Sequence, residues 1–344
     1  FTIHNIHTVK TTLDHIEDRG IDAAAFWQHL YFTNYADNYV TARNTNPVDF
    51  LVSGVFAAHF VNTVSRRFLE EIAEGRHDFI EYHLRNQLIN KVKAGVAAGI
   101  LNAPDPGYNP SEDKYLQHRY GPDSHQEAKA KNKLALQKML GLDENAEAPV
   151  FFWPSRLDPV QKGCQLLADI FYMMLSKYWD KNLQVIFVAD GDYQQVFRDI
   201  VNHHQFHSRV AVCDFSERLE HLGYGAADFV LMPSLFEPCG LPQMIGQIYG
   251  ALPVAHDTGG IHDTVTHFDN SGGRGSGFKF EIYDTSGLMW AIDRAMDFYA
   301  LEPAKKAQAI SRIMTQALET FNHEVNAGQY IDLYEQMLDR PLIV

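Results

Sequence analysis

Ser234-Leu-Phe-Glu-Pro-Cys-Gly-Leu-Pro-Gln243 is the segment from which this chain is best read. It follows the apolar run Ala227-Asp-Phe-Val-Leu-Met-Pro233, which predicts a short buried strand. It leads into Gln243-Met-Ile-Gly-Gln-Ile-Tyr-Gly250, which predicts a helix with Pro242 near its first position. Glu237, Cys239 and Gly240 therefore occupy a turn between a parallel strand and a helix, where doubly wound sheets bind their ligands. A second glycine-containing turn, His256-Asp-Thr-Gly-Gly-Ile-His-Asp-Thr264, follows the strand-like Ala251-Leu-Pro-Val-Ala255. Two adjacent turns of this kind describe a pocket for a phosphorylated ligand.

Outward from this segment, strands alternate with helices. Val150-Phe-Phe-Trp153, Gln184–Ala189, Arg209–Cys213 and Phe229–Met232 read as strands, and helices are predicted from Lys162, Asp192, Glu217 and Pro242. Such repetition implies a parallel sheet covered on both faces. Upstream, residues 1–100 mix helices with short strands such as Phe60–Ser65, and Gly99–Pro110 is a proline- and glycine-rich loop. A polar stretch, Ser111–Glu127, precedes a predicted helix over Lys129–Leu142 with Gly141 as its cap. The change of texture after the acidic linker Asp143–Ala148 places a domain boundary near residue 146. The expected division is 1–145, 146–320, and a terminal helical piece 321–344 able to cross back to the first domain.

The 344 residues suffice for two domains, and 46% apolar content for two cores. No apolar run of transmembrane length occurs. A net charge of −14 argues against nucleic acid as partner and means that an anionic ligand must be gripped by a local basic cluster. Three cysteines make no disulfide framework, so a cytoplasmic setting is expected. The chain opens at Phe1 already in strand-like sequence, so a start inside a fold and no signal peptide are expected.

Arg156 and Lys162 fall on the turn after Val150–Trp153, a fork of donors beside a point charge that suits a diphosphate. Two solvated surface cations are the plainer alternative; the strand-end position in an acidic chain favours the ligand. Glu237 next to a phosphate site suits sugar hydroxyls, which a carboxylate accepts, or else simply the positive end of a helix. Cys239 could be a thiolate, but with no partner histidine evident it reads better as a small packed residue whose backbone acts. His203, His204 and His207 lack metal-ligand spacing, so no metal and no cofactor are expected. Gly-x-Gly-x-x-Gly, phosphate-loop and nucleophile-elbow motifs are absent.

Together these segments resemble the bacterial glycogen synthases and plant starch synthases. The matches run in order through Phe1-Thr-Ile-His-Asn5, Val61-Asn-Thr-Val-Ser65, Gly99-Ile-Leu-Asn-Ala-Pro-Asp105, Ser155-Arg-Leu with Gly163, Phe236-Glu-Pro-Cys-Gly-Leu241 and Thr258-Gly-Gly-Ile-His-Asp-Thr-Val265. The resemblance implies an α/β chain of GT-B architecture, two Rossmann-like doubly wound domains facing a cleft, the first incomplete. It implies a retaining glucosyltransferase that moves glucose from ADP-glucose, or UDP-glucose, to an α-1,4-glucan. Arg156 and Lys162 would hold the diphosphate; Glu237 and the backbone of Cys239, Gly240 and Leu241 would hold the glucose. His4 would approach that glucose from the first domain, Asn102 would line the cleft, Phe215 would stack on the base, and Thr258 and Gly259 would face the donor. Another GT-B enzyme, a sugar phosphorylase and a non-catalytic glucan-binding relative are the rivals.

Departures from the family pattern are visible. The Lys-x-Gly-Gly-Leu segment is missing, so a fragment of a longer polypeptide is expected. One extra residue separates Arg156 from Lys162, which could displace the lysine. Ala103-Pro104 replaces Gly-Ile, Pro242 replaces a threonine, and Ile245 stands where many GT-B relatives carry a second acid.

Overall fold

Parallel strands organise both units into which the chain divides, Phe1–Leu101 with the chain end from Tyr330, and Asn102–Gln329. The computed structural model describes residues 1–269 and 273–342. In the first unit the strands are β1 (Thr2–Ile3), β2 (Lys10–Thr11), β3 (Val48–Asp49), β4 (Val61–Thr63) and β5 (Ala97–Gly99). A parallel sheet runs in the order β1-β4-β5, and β2 pairs antiparallel with β3. After β4 the chain turns at Ser65, whose hydroxyl accepts the Phe68 N–H at 3.0 Å and so starts the helix Arg66–Glu74. The last helix, His323–Leu338, ends in this unit, where the Tyr330 hydroxyl accepts a hydrogen bond from Asn62 Nδ2 at 3.2 Å.

The second unit carries β6 (Val150–Trp153), β7 (Gln184–Val188), β8 (Val210–Cys213), β9 (Phe229–Met232), β10 (Leu252–His256) and β11 (Phe278–Phe280). All pair in parallel, in the order β8-β7-β6-β9-β10-β11. The winding reverses between β6 and β9, and a doubly wound sheet opens a crevice at the carboxyl ends of those two strands.

These strands are apolar on both faces because both faces are covered. Val150, Phe152, Ile186 and Met232 pack with Leu136, Tyr224, Ile245 and Met314 on one side. Phe151, Trp153, Phe187 and Leu231 pack with Leu167, Phe171, Phe197 and Ile292 on the other. Each side chain so buried contributes about 2 kcal/mol relative to exposure.

Within the polar stretch 111–127, Asp113, Leu116 and Tyr120 are buried. Two expectations from the sequence need adjusting. The compact second unit begins at Asn102 and not near residue 146, and the helix His125–Leu140 packs on the sheet's covering helices through Leu136. The segment after β10 is not a bare turn, since Gly259–Thr264 forms a short helix. Among the described residues no helix is long and apolar enough to cross a membrane.

Candidate active site

The loop leaving β6 and the loop leaving β9 meet at the reversal point. Asp158 shapes the first of them: its Oδ1 accepts the N–H groups of Val160 and Gln161 at 2.9 and 2.8 Å. Those backbone donors, ahead of the neighbouring Arg156 and Lys162 charges, hold its carboxyl below the usual range. This Asx-type closure folds the loop back on itself ahead of Lys162. Lys162 still reaches across, and its Nζ donates to Glu237 Oε2 at 2.6 Å. The two loops are tied further by Leu235 N–H, which donates to the Gln161 carbonyl at 2.8 Å.

Glu237 is buried, and Ser234 Oγ donates to the same Oε2 at 3.1 Å. Its carbonyl accepts the Gly260 N–H at 2.9 Å, which joins the turn after β9 to the turn after β10. The approach there leaves no space: a Cβ on Gly260 would lie 1.9 Å from the Cys239 carbonyl oxygen. Gln243 Nε2 ties the same turn down, donating to the carbonyls of Cys239 and Gly240 at 3.0 and 2.9 Å. Thr258 and Gly259 are buried at the start of the short helix, and Leu241 caps the helix Pro242–Ile248 with Pro242 in its first turn.

Cys239 accepts a hydrogen bond on Sγ from the Asn102 backbone N–H at 3.4 Å, which fixes Asn102 against this turn. Burial pushes the Cys239 thiol up to about 12, so it is no nucleophile at neutral pH. Among the described residues, no cluster of three or more His, Cys, Asp or Glu is arranged to hold a metal ion.

The loop after β6 also borders a cavity of about 540 Å³ lined by Arg156, Leu157, Asp158, Asp190, Gly191 and Phe215, among others. The Arg156 guanidinium is exposed and makes no hydrogen bond or ion pair among the described residues. Phe215 presents a ring that is 53% exposed, and its backbone N–H donates to Asp190 Oδ1 at 2.9 Å. Sequence reasoning missed Asp190 and Gly191. The signal was there in Ala189-Asp-Gly-Asp192, a small-residue turn at the end of β7, next to β6 in the sheet.

Arg156, Lys162, Glu237, Phe215, Cys239, Gly240, Leu241, Thr258, Gly259 and Asn102 thus all lie in the second unit, at or beside the carboxyl edge of its sheet. His4 belongs to the first unit, exposed just past the end of β1.

Comparison with known proteins agrees with this geometry. The profile of the family described as "Glycosyl transferases group 1" matches residues 148–297. A glycogen synthase of Bacillus cereus (strain B4264) is 34% identical over 296 residues, which cover 85% of this chain and 59% of that protein. A glycogen synthase of Thermotoga petrophila is 36% identical over 295 residues, covering 85% of this chain and 57% of its own length. This chain therefore spans less than two thirds of those relatives. The catalytic domain of starch synthase IV from Arabidopsis thaliana, solved with ADP and acarbose, superposes with a TM-score of 0.83 at 28% identity, over 99% of this chain and 67% of that one. The expected GT-B architecture agrees with that superposition, and with the ordered motifs it leads to one assignment: the chain belongs to the glycogen synthase and starch synthase family of glycosyltransferases.

Proposed function

We propose that this chain carries the donor-binding machinery of a retaining glucosyltransferase that extends an α-1,4-glucan from ADP-glucose in the cytoplasm. The observation that carries the reading is the buried Lys162–Glu237 pair at the reversal point, on the same loop after β6 that borders a cavity with an uncommitted guanidinium and an exposed aromatic ring. Arg156 and Lys162 neutralise the diphosphate, and Glu237 accepts hydroxyls of the glucose. Phe215 stacks on the base while Asp190 accepts a ribose hydroxyl. The backbone of Cys239, Gly240, Leu241, Thr258 and Gly259 shapes the sugar's surroundings, Asn102 props that turn, and His4 is the contribution assigned to the first unit.

In the reaction the bond between the sugar C1 and the diphosphate oxygen breaks and a bond from C1 to the acceptor 4-oxygen forms. The electron pair leaves on ADP, so the developing charge is where preorganised cations count. Loss of one such group costs on the order of 3 kcal/mol, or about 100-fold in rate.

Glucose incorporation into glycogen, measured with ADP-glucose and UDP-glucose in parallel, tests the reading in a polypeptide carrying the complete catalytic region. Lys162→Ala should cut turnover about 100-fold. Near-normal turnover in that variant rejects the lysine's role, and preference for UDP-glucose rejects the donor assignment. The isolated chain should be stabilised thermally by ADP more than by UDP.

A further inference from the structure

Backbone pairing between β9 and β10 ends with Met232 opposite Ala255. Pro233 comes next and has no N–H to give, so the ladder cannot continue toward Glu237. A side chain takes over. His256, the last residue of β10, donates from Nδ1 to the Ser234 carbonyl at 2.8 Å. A carbonyl only accepts, so this contact fixes a proton on Nδ1. His256 is 9% exposed, and its ring packs against Phe280 and Tyr283 with centroids 5.3 and 4.9 Å away. Turning the ring off the Ser234 carbonyl would give up that packing.

Ser234 passes the constraint on. It is buried, and while His256 holds its carbonyl, its hydroxyl donates to Glu237 Oε2 at 3.1 Å. Lys162 Nζ donates to the same oxygen at 2.6 Å. Two donors fill the two lone-pair positions of Oε2. Glu237 Oε1, by contrast, makes no hydrogen bond among the described residues. It is also absent from the sealed polar atoms that lack a partner, so it keeps contact with solvent. One carboxylate oxygen is thus saturated by the protein and the other is open.

We propose that His256 is a positioning residue for the donor sugar: by fixing the Ser234 peptide it keeps the Ser234 hydroxyl on Oε2, and so makes Oε1 the oxygen offered to the glucose. This rests on Glu237 being the sugar-binding acid of a glucosyltransferase. His256 itself does not touch the sugar; it acts through Ser234 and Glu237. Without its Nδ1–H the Ser234 carbonyl loses its donor and the peptide is free to turn. The Ser234 hydroxyl can then leave Oε2 or move to Oε1, where it competes with a sugar hydroxyl for the same lone pairs. The consequence is confined to the sugar, because neither His256 nor Ser234 lines the cavity bordered by Arg156, Asp190 and Phe215.

The test is the ratio of dissociation constants for ADP and ADP-glucose, measured without acceptor in a polypeptide carrying the complete catalytic region. His256→Leu should weaken ADP-glucose binding about tenfold, the size of one charge-assisted hydrogen bond, and keep ADP binding within about twofold of wild type. His256→Asn, whose amide N–H stands where Nδ1–H does, should restore the wild-type ratio. Equal losses for both ligands in His256→Leu would mark a merely structural role and overturn the proposal, as would no loss, or no rescue by His256→Asn. Should His256→Leu fold poorly, the Nδ1–H resonance of unaltered protein, identified by its loss in His256→Asn, must move with ADP-glucose and stay put with ADP. A resonance indifferent to the glucose overturns the proposal. Wild type that binds neither ligand refutes the glucosyltransferase reading as well, whereas binding of both with a ratio insensitive to His256 refutes the positioning role alone.

Discussion

The Lys162 ammonium stands 2.6 Å from the Glu237 carboxylate, and the two side chains are only 12% and 7% exposed. This pair couples the loops after β6 and β9, the two strands between which the winding order reverses.

Lys162→Met should destabilise the protein by about 3 kcal/mol, because it strands a buried carboxylate. The double variant Lys162→Met/Glu237→Gln should recover most of that loss. Urea denaturation of the three proteins decides it. A single variant as stable as wild type rules out an energetically significant pair.

Phe215→Ala should weaken ADP binding about tenfold, the size of one lost base–ring contact. Phe215→Tyr should retain affinity. Isothermal titration gives the comparison, and an unaltered dissociation constant in the alanine variant removes the ring from the base site.

Gly163→Ala should cost at least about 2 kcal/mol through a conformation that side chains avoid. The residue has φ +72°, and a Cβ would lie 1.9 Å from the Pro233 carbonyl oxygen. Since Pro233 precedes the Glu237 turn, the same variant should also lower ADP affinity. A melting temperature equal to wild type contradicts the packing described.

Asp113 makes stability pH-dependent. Burial pushes its carboxyl up, but hydrogen bonds from His221, Tyr249 and the Tyr115 N–H outweigh this and hold it below the ordinary 3.8. The donors lie 2.8, 2.6 and 2.8 Å away. With the folded value below the unfolded one, the contribution is complete above pH 3.8 and drains away as pH falls through the folded value. Asp113→Asn should therefore be less stable at pH 7 and show a shallower acid decline. Parallel acid titrations of the two proteins would contradict this.

Cys164 and Cys239 should resist alkylation at pH 8 until the protein unfolds, because burial raises both thiols to about 12. Mass spectrometry after iodoacetamide treatment, with and without urea, provides the count. Rapid native labelling of Cys239 would show that its turn opens.

Much of the second unit was legible because its signals are local. Val150–Trp153 is a continuous apolar run, Pro242 opens its helix, and Gly141 ends another in the left-handed region. The resemblance named the groups at the reversal point, but not the pairing of Lys162 with Glu237. What stayed hidden depends on contacts distant in sequence. Asp113 looks like a solvated acid until His221 and Tyr249 arrive from 108 and 136 residues away. Nothing in the helix pattern over Lys129–Leu142 distinguishes Lys129 and Lys133, which carbonyl groups from other elements hold in burial. Asp190 escaped notice because a single acid after a strand carries no spacing pattern; only its position beside the β6 loop gives it meaning.

Gly260 limits how far these two strand-end segments can be redesigned separately. With its amide held by the Glu237 carbonyl and no room for one more methyl group against Cys239, the segments after β9 and β10 are welded at this point. Libraries that randomise either segment alone should yield mostly misfolded clones, and tolerated changes should emerge only where both are varied together.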